Sequence, residues 1–242
     1  MPGKLYLVST PIGNLEDMTF RAVRTLQECD LIAAEDTRRT ALLLQRYGIR
    51  KKMESFHAFN EHAKVEHLIA RIKEGLNAAL VSDAGTPAVA DPGFLPVRAA
   101  LEAGLEPVVI PGVSAVTFAV TASGLPVDRF AFWNFAPVKS GRKRKFFEEI
   151  ASCGYTVFCF ESPFRIAATL QLIAQVMPDA AIAVIREATK IHEEVLRGRA
   201  AELAALKREW RGEFVIGICN KPLRGGEREE PPQSPDDGGP LR

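Results

Sequence analysis

The chain has 242 residues, of which 47% are hydrophobic, 8% aromatic and 25% charged, a composition typical of a soluble globular protein. Its formal net charge of +1 excludes a global positive field, so binding to nucleic acid would require a local cluster of cations. The four cysteines and four histidines lack metal-ligand spacing, and no apolar run approaches the roughly 20 residues of a membrane span. We therefore expect a cytoplasmic protein with no metal and no membrane anchor.

Short apolar runs alternate with helical patterns along the first half of the chain. Strands are predicted at residues 4–10, 30–34, 53–56, 78–81 and 107–110. Between them, apolar residues recur at helical spacing, most clearly from Val65 to Leu76. This alternation predicts an α/β fold with a mostly parallel sheet covered by helices on both faces.

The second half repeats the alternation after a turn-rich stretch at residues 122–129. Strands are predicted at 130–135, 155–160, 181–185, 193–196 and 214–219, with helices over 139–151, 163–177 and 200–209. We expect two α/β domains with mostly parallel or mixed sheets, residues 1–121 and 122–220, and a ligand cleft between them. The tail, 221–242, is rich in glycine, proline and charge, which predicts disorder.

Three predicted strands end in loops of small residues: STPIGN at 9–14, SDAGTP at 82–87 and PGVSA at 111–115. Glycine removes the Cβ that would hold a ligand away, and Asp83 adds one charged acceptor. Taken alone, the middle loop is equally well a tight turn before a helix capped by Asp91. Because three such loops would gather at one sheet edge, they indicate a cofactor site. Neither a P-loop nor a GxGxxG motif is present, which favours a nucleoside-like ligand that is not strongly anionic.

A basic segment carries five cations in seven residues. As a loop leading into a helix it would contact RNA phosphates, although an isolated basic run is also typical of a solvated loop. Its members are Lys139, Arg142, Lys143, Arg144 and Lys145. Charged residues also follow two later strands, Glu161 in ESPFR and Glu187 with Lys190 in REATK. They are candidates for a cleft or for structural ion pairs.

The ordered motifs STPIGN, EDTR, SDAGTP, IPGVSA, ESPFR and REATKIHEEVLRG resemble the tetrapyrrole methylase superfamily, and within it the branch that methylates small-subunit ribosomal RNA. The resemblance runs from about Leu5 to Cys219. It implies two α/β domains, S-adenosylmethionine bound between them, and a homodimer. It further implies methyl transfer to the ribose 2′-oxygen of a cytidine in the decoding region of bacterial 16S rRNA within the small ribosomal subunit.

The resemblance also implies which residues bind the cofactor. These are Pro11, Gly13, Asp83, Ala84, Gly85, Thr86, Pro87, Ala88, Val89, Ser114, Ala115, Phe160, Ala188 and Thr189. Asp83 would anchor the amino or hydroxyl groups of the methyl donor. The base that removes the ribose proton would be Glu187, Lys190 or Glu161, and the sequence does not choose among them. Two alternatives stay open: a sister enzyme acting on a tetrapyrrole or a modified protein histidine, and a non-catalytic RNA-binding assembly factor.

Overall fold

The computed structural model of the protein describes residues 1–56, 61–90 and 93–221. The strands are β1 (Leu5–Val8), β2 (Leu31–Ala34), β3 (Met53–Ser55), β4 (Ala78–Val81), β5 (Val108–Ile110), β6 (Phe130–Phe135), β7 (Thr156–Glu161), β8 (Ala181–Arg186), β9 (Glu194–Arg199) and β10 (Phe214–Cys219). The α-helices are α1 (Phe20–Glu28), α2 (Thr37–Arg46), α3 (Glu61–Lys73), α4 (Phe94–Glu102), α5 (Ala115–Ser123), α6 (Ser140–Ser152), α7 (Ile166–Val176) and α8 (Ala200–Ala204). A 3₁₀ turn covers Leu15–Asp17.

The first sheet has the order β3-β2-β4-β1-β5, and all of its strand pairs are parallel. Its central strands β2, β4 and β1 are apolar on both faces because helices cover both sides. In β2, Leu31 and Ala33 pack into one core, whereas Ile32 and Ala34 pack into the core on the opposite face. The predicted parallel sheet is therefore confirmed, and its strand ends gather at one edge.

The second sheet has the order β6-β7-β10-β8-β9 and is mixed. Strands β6 and β7 are parallel, whereas β10 runs antiparallel to both β7 and β8. In β10, Ile216 and Ile218 pack into the core that holds buried side chains of α6, α7 and α8, and Val215 packs into the core on the other face. The predicted α/β class, with one parallel and one mixed sheet, is confirmed.

Helix α5 lies between the two sheets in the chain but packs on the second. Its Ala119 belongs to the core that contains Phe158 and Ile185. The predicted boundary at residues 121 and 122 would divide this helix, and that boundary stays a prediction. Several elements differ in their bounds from the prediction. The largest differences are that β1 covers only Leu5–Val8 instead of 4–10, α7 begins at Ile166 instead of 163, β9 continues to Arg199, and α8 ends at Ala204. Asp91 and residues 222–242, where a cap and a disordered tail were predicted, lie outside the described residues.

In the part of the chain that the structure describes, no helix combines the length and the apolar character needed to cross a membrane. Across the same described ranges, no three or more His, Cys, Asp or Glu side chains are grouped so that they could hold a metal ion.

Candidate active site

A cavity of about 450 Å³ lies where the carboxyl edge of the first sheet meets an edge of the second. Its lining residues are Ile12, Glu35, Arg39, Asp83, Ala84, Gly85, Thr86, Val89, Ala90, Ser114, Ala115, Phe135, Phe160, Glu161, Ser162, Pro163, Ile185, Ala188, Glu213, Phe214 and Val215. The volume falls within the roughly 300–1,000 Å³ of small-molecule sites. Because β10 is antiparallel to β7 and β8, its first residues lie at the edge where those two strands end.

The first two glycine-containing loops are joined by backbone hydrogen bonds. The Gly85 N–H donates to the Thr10 carbonyl at 3.0 Å, and the Thr10 N–H donates to the Gly85 carbonyl at 2.8 Å. The hydroxyls of Ser9 and Thr86 lie 2.9 Å apart. Gly85 has a φ of +79°, in the left-handed region that favours glycine. Glycine is therefore favoured here by the conformation of the turn, and its backbone groups already have partners.

Asp83 joins the loop after β4 to the loop after β2. Its Oδ1 accepts a hydrogen bond from the Asp36 N–H at 2.9 Å, and its Oδ2 lies 3.2 Å from the Arg39 guanidinium. The Asp83 N–H donates in turn to Glu35 Oε2 at 3.2 Å. Glu35 and Arg39 also line the cavity, and neither was predicted as a site residue. Their position after β2, at the same edge as Asp83, is the signal that could have identified them.

The neighbouring Asp36 is not a cavity residue. Hydrogen bonds from the Arg38 side chain and backbone hold the pKa of its carboxyl well below the usual range. Asp36 therefore stays ionised and accepts the Arg38 N–H at the start of α2, as an N-cap.

The PGVSA loop forms the start of α5 at the cavity. Ser114 is the N-cap, and its hydroxyl accepts the Val116 N–H at 3.3 Å. Ser114 and Ala115 both line the cavity, so the partial positive charge of the helix N-terminus lies in its wall.

Aromatic rings form part of the second-sheet wall. The ring of Phe160 lies 4.8 Å from that of Phe132 and 5.2 Å from that of Phe135, measured between centroids. Phe160 and Ala188 line the cavity, and both were predicted as walls of the cofactor site. Phe135 and residues 213–215 line it as well, although the sequence did not indicate them.

Some predicted cofactor residues are not part of this lining. Pro11, Pro87 and Ala88 lie in the loops but are not among the lining residues, and Gly13 and Thr189 line a second, more open cavity of about 750 Å³. A Cβ on Gly13 would lie 2.7 Å from Thr189 Oγ1, and the Asn14 N–H donates to that oxygen at 3.0 Å. Gly13 therefore permits close contact between the loop after β1 and the loop after β8.

Glu187 and Lys190 lie in this second cavity and form an ion pair. Glu187 Oε1 accepts from Lys190 Nζ at 3.0 Å and from the Glu213 N–H at 2.8 Å. Burial raises the pKa of Glu187, but these hydrogen bonds outweigh burial and lower it. Burial lowers the pKa of Lys190, but hydrogen bonds to Glu187 and Glu213 outweigh burial and raise it. These contacts favour the protonated form of Lys190, which argues against its predicted role as a proton acceptor.

The predicted role of Glu161 as the base is not supported either, because its carboxylate is buried and its hydrogen-bonding capacity is already used. Its side chain is 0% exposed, and the little surface of the residue at the cavity belongs to the backbone. The carboxylate accepts hydrogen bonds from Lys143 Nζ at 3.0 Å, Thr169 Oγ1 at 2.6 Å and the Ser162 N–H at 2.7 Å. Arg165 forms an ion pair with it at 2.7 Å. A carboxylate has about four lone-pair sites, so these donors leave no acceptor for a substrate proton.

The basic segment is helical. It forms the start of α6, with Lys139 as N-cap, and Lys139, Arg142, Arg144 and Lys145 are exposed. Arg144 also donates to Gln175 at 3.0 Å. Lys143 is only 8% exposed because its ammonium group is paired with Glu161 inside the protein. Its prediction as an RNA contact is therefore wrong, whereas the other four cations remain accessible.

The family described as "Tetrapyrrole (Corrin/Porphyrin) Methylases" matches residues 4–204. "Ribosomal RNA small subunit methyltransferase I" of Halalkalibacterium halodurans is 43% identical over 231 residues, which is 95% of this chain and 78% of the relative. The protein of the same name from Thermotoga maritima is 40% identical and covers 90% of this chain and 99% of its own length.

A solved structure shares the fold. Uroporphyrin-III C-methyltransferase from Thermus thermophilus, in complex with S-adenosylhomocysteine, superposes with a TM-score of 0.61 at 20% identity, covering 89% of this chain and 97% of that one. Fold and relatives together define the class, an S-adenosylmethionine-dependent methyltransferase. The chain belongs to the tetrapyrrole methylase family.

Proposed function

We propose that the protein methylates the ribose 2′-oxygen of a cytidine in the decoding region of bacterial 16S rRNA in the small ribosomal subunit. The observation that carries the proposal is a small-molecule cavity whose lining strand β6 is followed in the chain by exposed cations at the start of α6. Phe135 lines the cavity at the end of β6, and α6 with its accessible Arg142 and Lys145 begins a few residues later. The names of the relatives that are at least 40% identical support rRNA as the substrate.

The cavity fits S-adenosylmethionine, which carries its transferable methyl group on a cationic sulfonium. Glu35, Asp83 and Glu213 line the cavity together with a single cation, Arg39, so acidic groups outnumber basic ones among these four. We propose that Asp83 anchors the donor and that the backbone of residues 83–86 and 114–115 forms the wall against it. The charge on sulfur is lost in the transition state, so the site should hold the donor in line without over-stabilising it. Positioning of this kind can contribute on the order of 7 to 11 kcal/mol when the geometry is ideal.

Of the three residues predicted as the base, only Glu187 is still a candidate. Its carboxylate is 17% exposed and ionised, but the hydrogen bonds that lower its pKa also make it a weak proton acceptor. We therefore propose that Glu187 and Lys190 mainly position the loop after β8, whose Ala188 lines the cavity. Glu187→Gln should then raise the dissociation constant of S-adenosylmethionine. If it instead lowers kcat with unchanged cofactor affinity, Glu187 acts on the proton.

The exposed cations of α6 are proposed to bind RNA phosphates. Cations near a helix N-terminus are unfavourable for the helix itself, so their presence there is explained better by a partner than by stability. Arg142→Gln and Lys145→Gln should each reduce the slope of log K against log salt by about 0.7, the value for one phosphate contact on single-stranded nucleic acid. Arg98→Gln, which removes an exposed cation of α4, is the matched control. An equal effect of all three variants would contradict the assignment.

The decisive experiment is transfer of a labelled methyl group from S-adenosylmethionine to purified small subunits and to free 16S rRNA, followed by mapping of the modified nucleotide. Label on the ribose of a decoding-region cytidine is expected. Label on a tetrapyrrole or on a protein histidine would favour a sister enzyme. Tight cofactor binding with no transfer to any substrate would favour an assembly factor.

We also propose that the protein works as a homodimer in the cytoplasm. Sedimentation equilibrium of the full chain should give twice the monomer mass, and a monomer at micromolar concentration would contradict this.

A further inference from the structure

Phe164 is a large apolar side chain that is 95% exposed. It lies in the turn of residues 162–165 that follows β7, and the two preceding residues, Ser162 and Pro163, line the cavity. Phe164 is therefore presented at the rim of the site in which the methyl donor is expected. A single exposed apolar residue needs no explanation, but this one stands beside a cavity on a constrained turn.

The turn that presents Phe164 is held by several hydrogen bonds. The Phe164 N–H donates to Ser162 Oγ at 3.3 Å, and the Arg165 N–H donates to the Ser162 carbonyl at 3.0 Å. Beneath it, the buried Glu161 carboxylate binds both the Ser162 N–H and the Arg165 guanidinium. The exposure of Phe164 is thus a consequence of an ordered turn whose anchor is fully buried.

The same anchor connects Phe164 to the cations of α6. Lys143, on α6, binds Glu161 Oε2, whereas Arg165 binds Oε1. Arg165 Nη1 also donates to the Ala136 carbonyl, in the segment between β6 and α6, at 3.4 Å. That segment also exposes Val138, 78% accessible, and Lys139. An exposed ring, an exposed apolar residue and an accessible cation are therefore carried by segments that the buried Glu161 network holds together.

This combination matches the chemistry of single-stranded nucleic acid. Bases stack on aromatic side chains while cations follow the phosphates, and single-stranded RNA is read largely through such unstacked bases. We propose that Phe164 stacks on a base of the RNA substrate beside the reacting ribose and so positions the acceptor nucleotide. The inference rests on the proposed function and adds to it a positioning residue on the rim of the second sheet.

Three variants test the role of Phe164. Phe164→Ala removes the ring, Phe164→Trp keeps a stacking surface, and Phe130→Ala removes a half-exposed ring at the opposite end of β6. Phe164→Ala should lower kcat/KM for RNA by about 5- to 150-fold, mainly through KM, and weaken binding of a labelled single-stranded oligoribonucleotide. Phe164→Trp should remain close to the wild type. All three should keep wild-type affinity for S-adenosylmethionine.

The outcomes separate this inference from the proposed function. Methyl transfer by the wild type tests the function, whereas the oligoribonucleotide binding of the variants tests stacking even without transfer. Stacking is overturned if Phe164→Ala binds RNA like the wild type, or if Phe164→Trp is as weak as Phe164→Ala. It is also overturned if Phe164→Ala sediments as a monomer where the wild type is a dimer, because the ring would then cover a second copy of the chain.

Discussion

Replacing Lys143 by methionine separates a structural cation from the RNA-binding cations that surround it in the sequence. The side chain of Lys143 is 10% exposed, and its ammonium group lies 3.0 Å from Glu161 Oε2 and 2.9 Å from Thr169 Oγ1. Methionine keeps an unbranched apolar side chain that is one heavy atom shorter than that of lysine, and it removes the charge. The next residue toward the N-terminus, Arg142, is exposed and provides the comparison as Arg142→Gln.

The expected loss of unfolding free energy in Lys143→Met depends on the partners that Glu161 keeps. Removing one partner of a buried ion pair typically costs about 3–5 kcal/mol, and losing a hydrogen bond to a charged group about 1.5–3 kcal/mol. Arg165 still neutralises Glu161 at 2.7 Å, so the carboxylate does not become an isolated buried charge. We therefore expect Lys143→Met to lower the free energy of unfolding by about 2–3 kcal/mol. Arg142→Gln should change it by less than about 0.5 kcal/mol.

Urea unfolding followed by tryptophan fluorescence measures this difference. Trp133 and Trp210 both pack against the core that α6 covers, so their emission reports on the part of the fold that contains Lys143. RNA binding across a range of salt concentrations provides the second measurement, in which the folded Lys143→Met variant should keep the wild-type slope. A stability change below 0.5 kcal/mol, together with a slope reduced as in Arg142→Gln, would refute the buried pair.

Three further predictions concern the loops and the ion pairs. Gly85→Ala should lower the free energy of unfolding by about 1–2 kcal/mol in urea titrations, because φ is +79°. Gly13→Ala should weaken binding of S-adenosylmethionine at least about tenfold by calorimetry, because the new Cβ would displace the 188–190 loop. Hydrogen bonds from Arg208 lower the pKa of Glu194, so its contribution to stability is present above its ordinary pKa of 4.5 and is lost as pH falls through the lower folded value. Glu194→Gln should therefore lose less stability than the wild type between pH 6 and pH 3.5.

Each of these predictions has a control. Gly141→Ala, at a glycine with no atom within 4 Å of the added Cβ and no positive φ, should not destabilise the protein; a loss equal to that of Gly85→Ala would remove the conformational argument. For Gly13→Ala, unchanged cofactor affinity would show that the loops lining the second cavity do not affect cofactor binding in the first. For Glu194→Gln, a pH dependence identical to that of the wild type would show that the pair with Arg208 contributes nothing.

Apolar periodicity predicted most of the elements well. The strands at 130–135 and 214–219 match the structure residue for residue, and the α3 face from Val65 to Ile72 is buried. Local patterns succeed here because burial of alternate residues, or of every third and fourth, is a property of the segment itself. The burial of Lys143 could also have been predicted from the sequence, because Lys143, Phe147 and Ile150 are spaced i, i+4 and i+7 on the buried face of α6. Its charge instead favoured the prediction that it is exposed, in contact with RNA or solvent.

The candidate site was predicted where neighbouring loops follow parallel strands. Asp83, Ser114 and Phe160 follow or end strands whose direction the alternation indicated, and they line the cavity. The segment 213–215 was not predicted to line the site because it stands at the start of a strand, whereas the prediction considered loops that follow strands. It reaches the cavity only through the antiparallel insertion of β10 between β7 and β8, and nothing in the local sequence indicates that direction.

The amino-acid sequence by itself determined the alternation of strands and helices, the α/β class and the position of the small-residue loops, because these depend on contacts between residues close in the chain. Only the tertiary structure decided the order of the strands, the antiparallel direction of β10 and the partners of the buried charges. Glu161 illustrates the physical reason: whether it is a base or an anchor depends on Lys143, 18 residues earlier, and Thr169, 8 residues later. The residues next to Glu161 in the chain would be the same in either role. The donors that reach its carboxylate from α6 and α7 determine its chemistry.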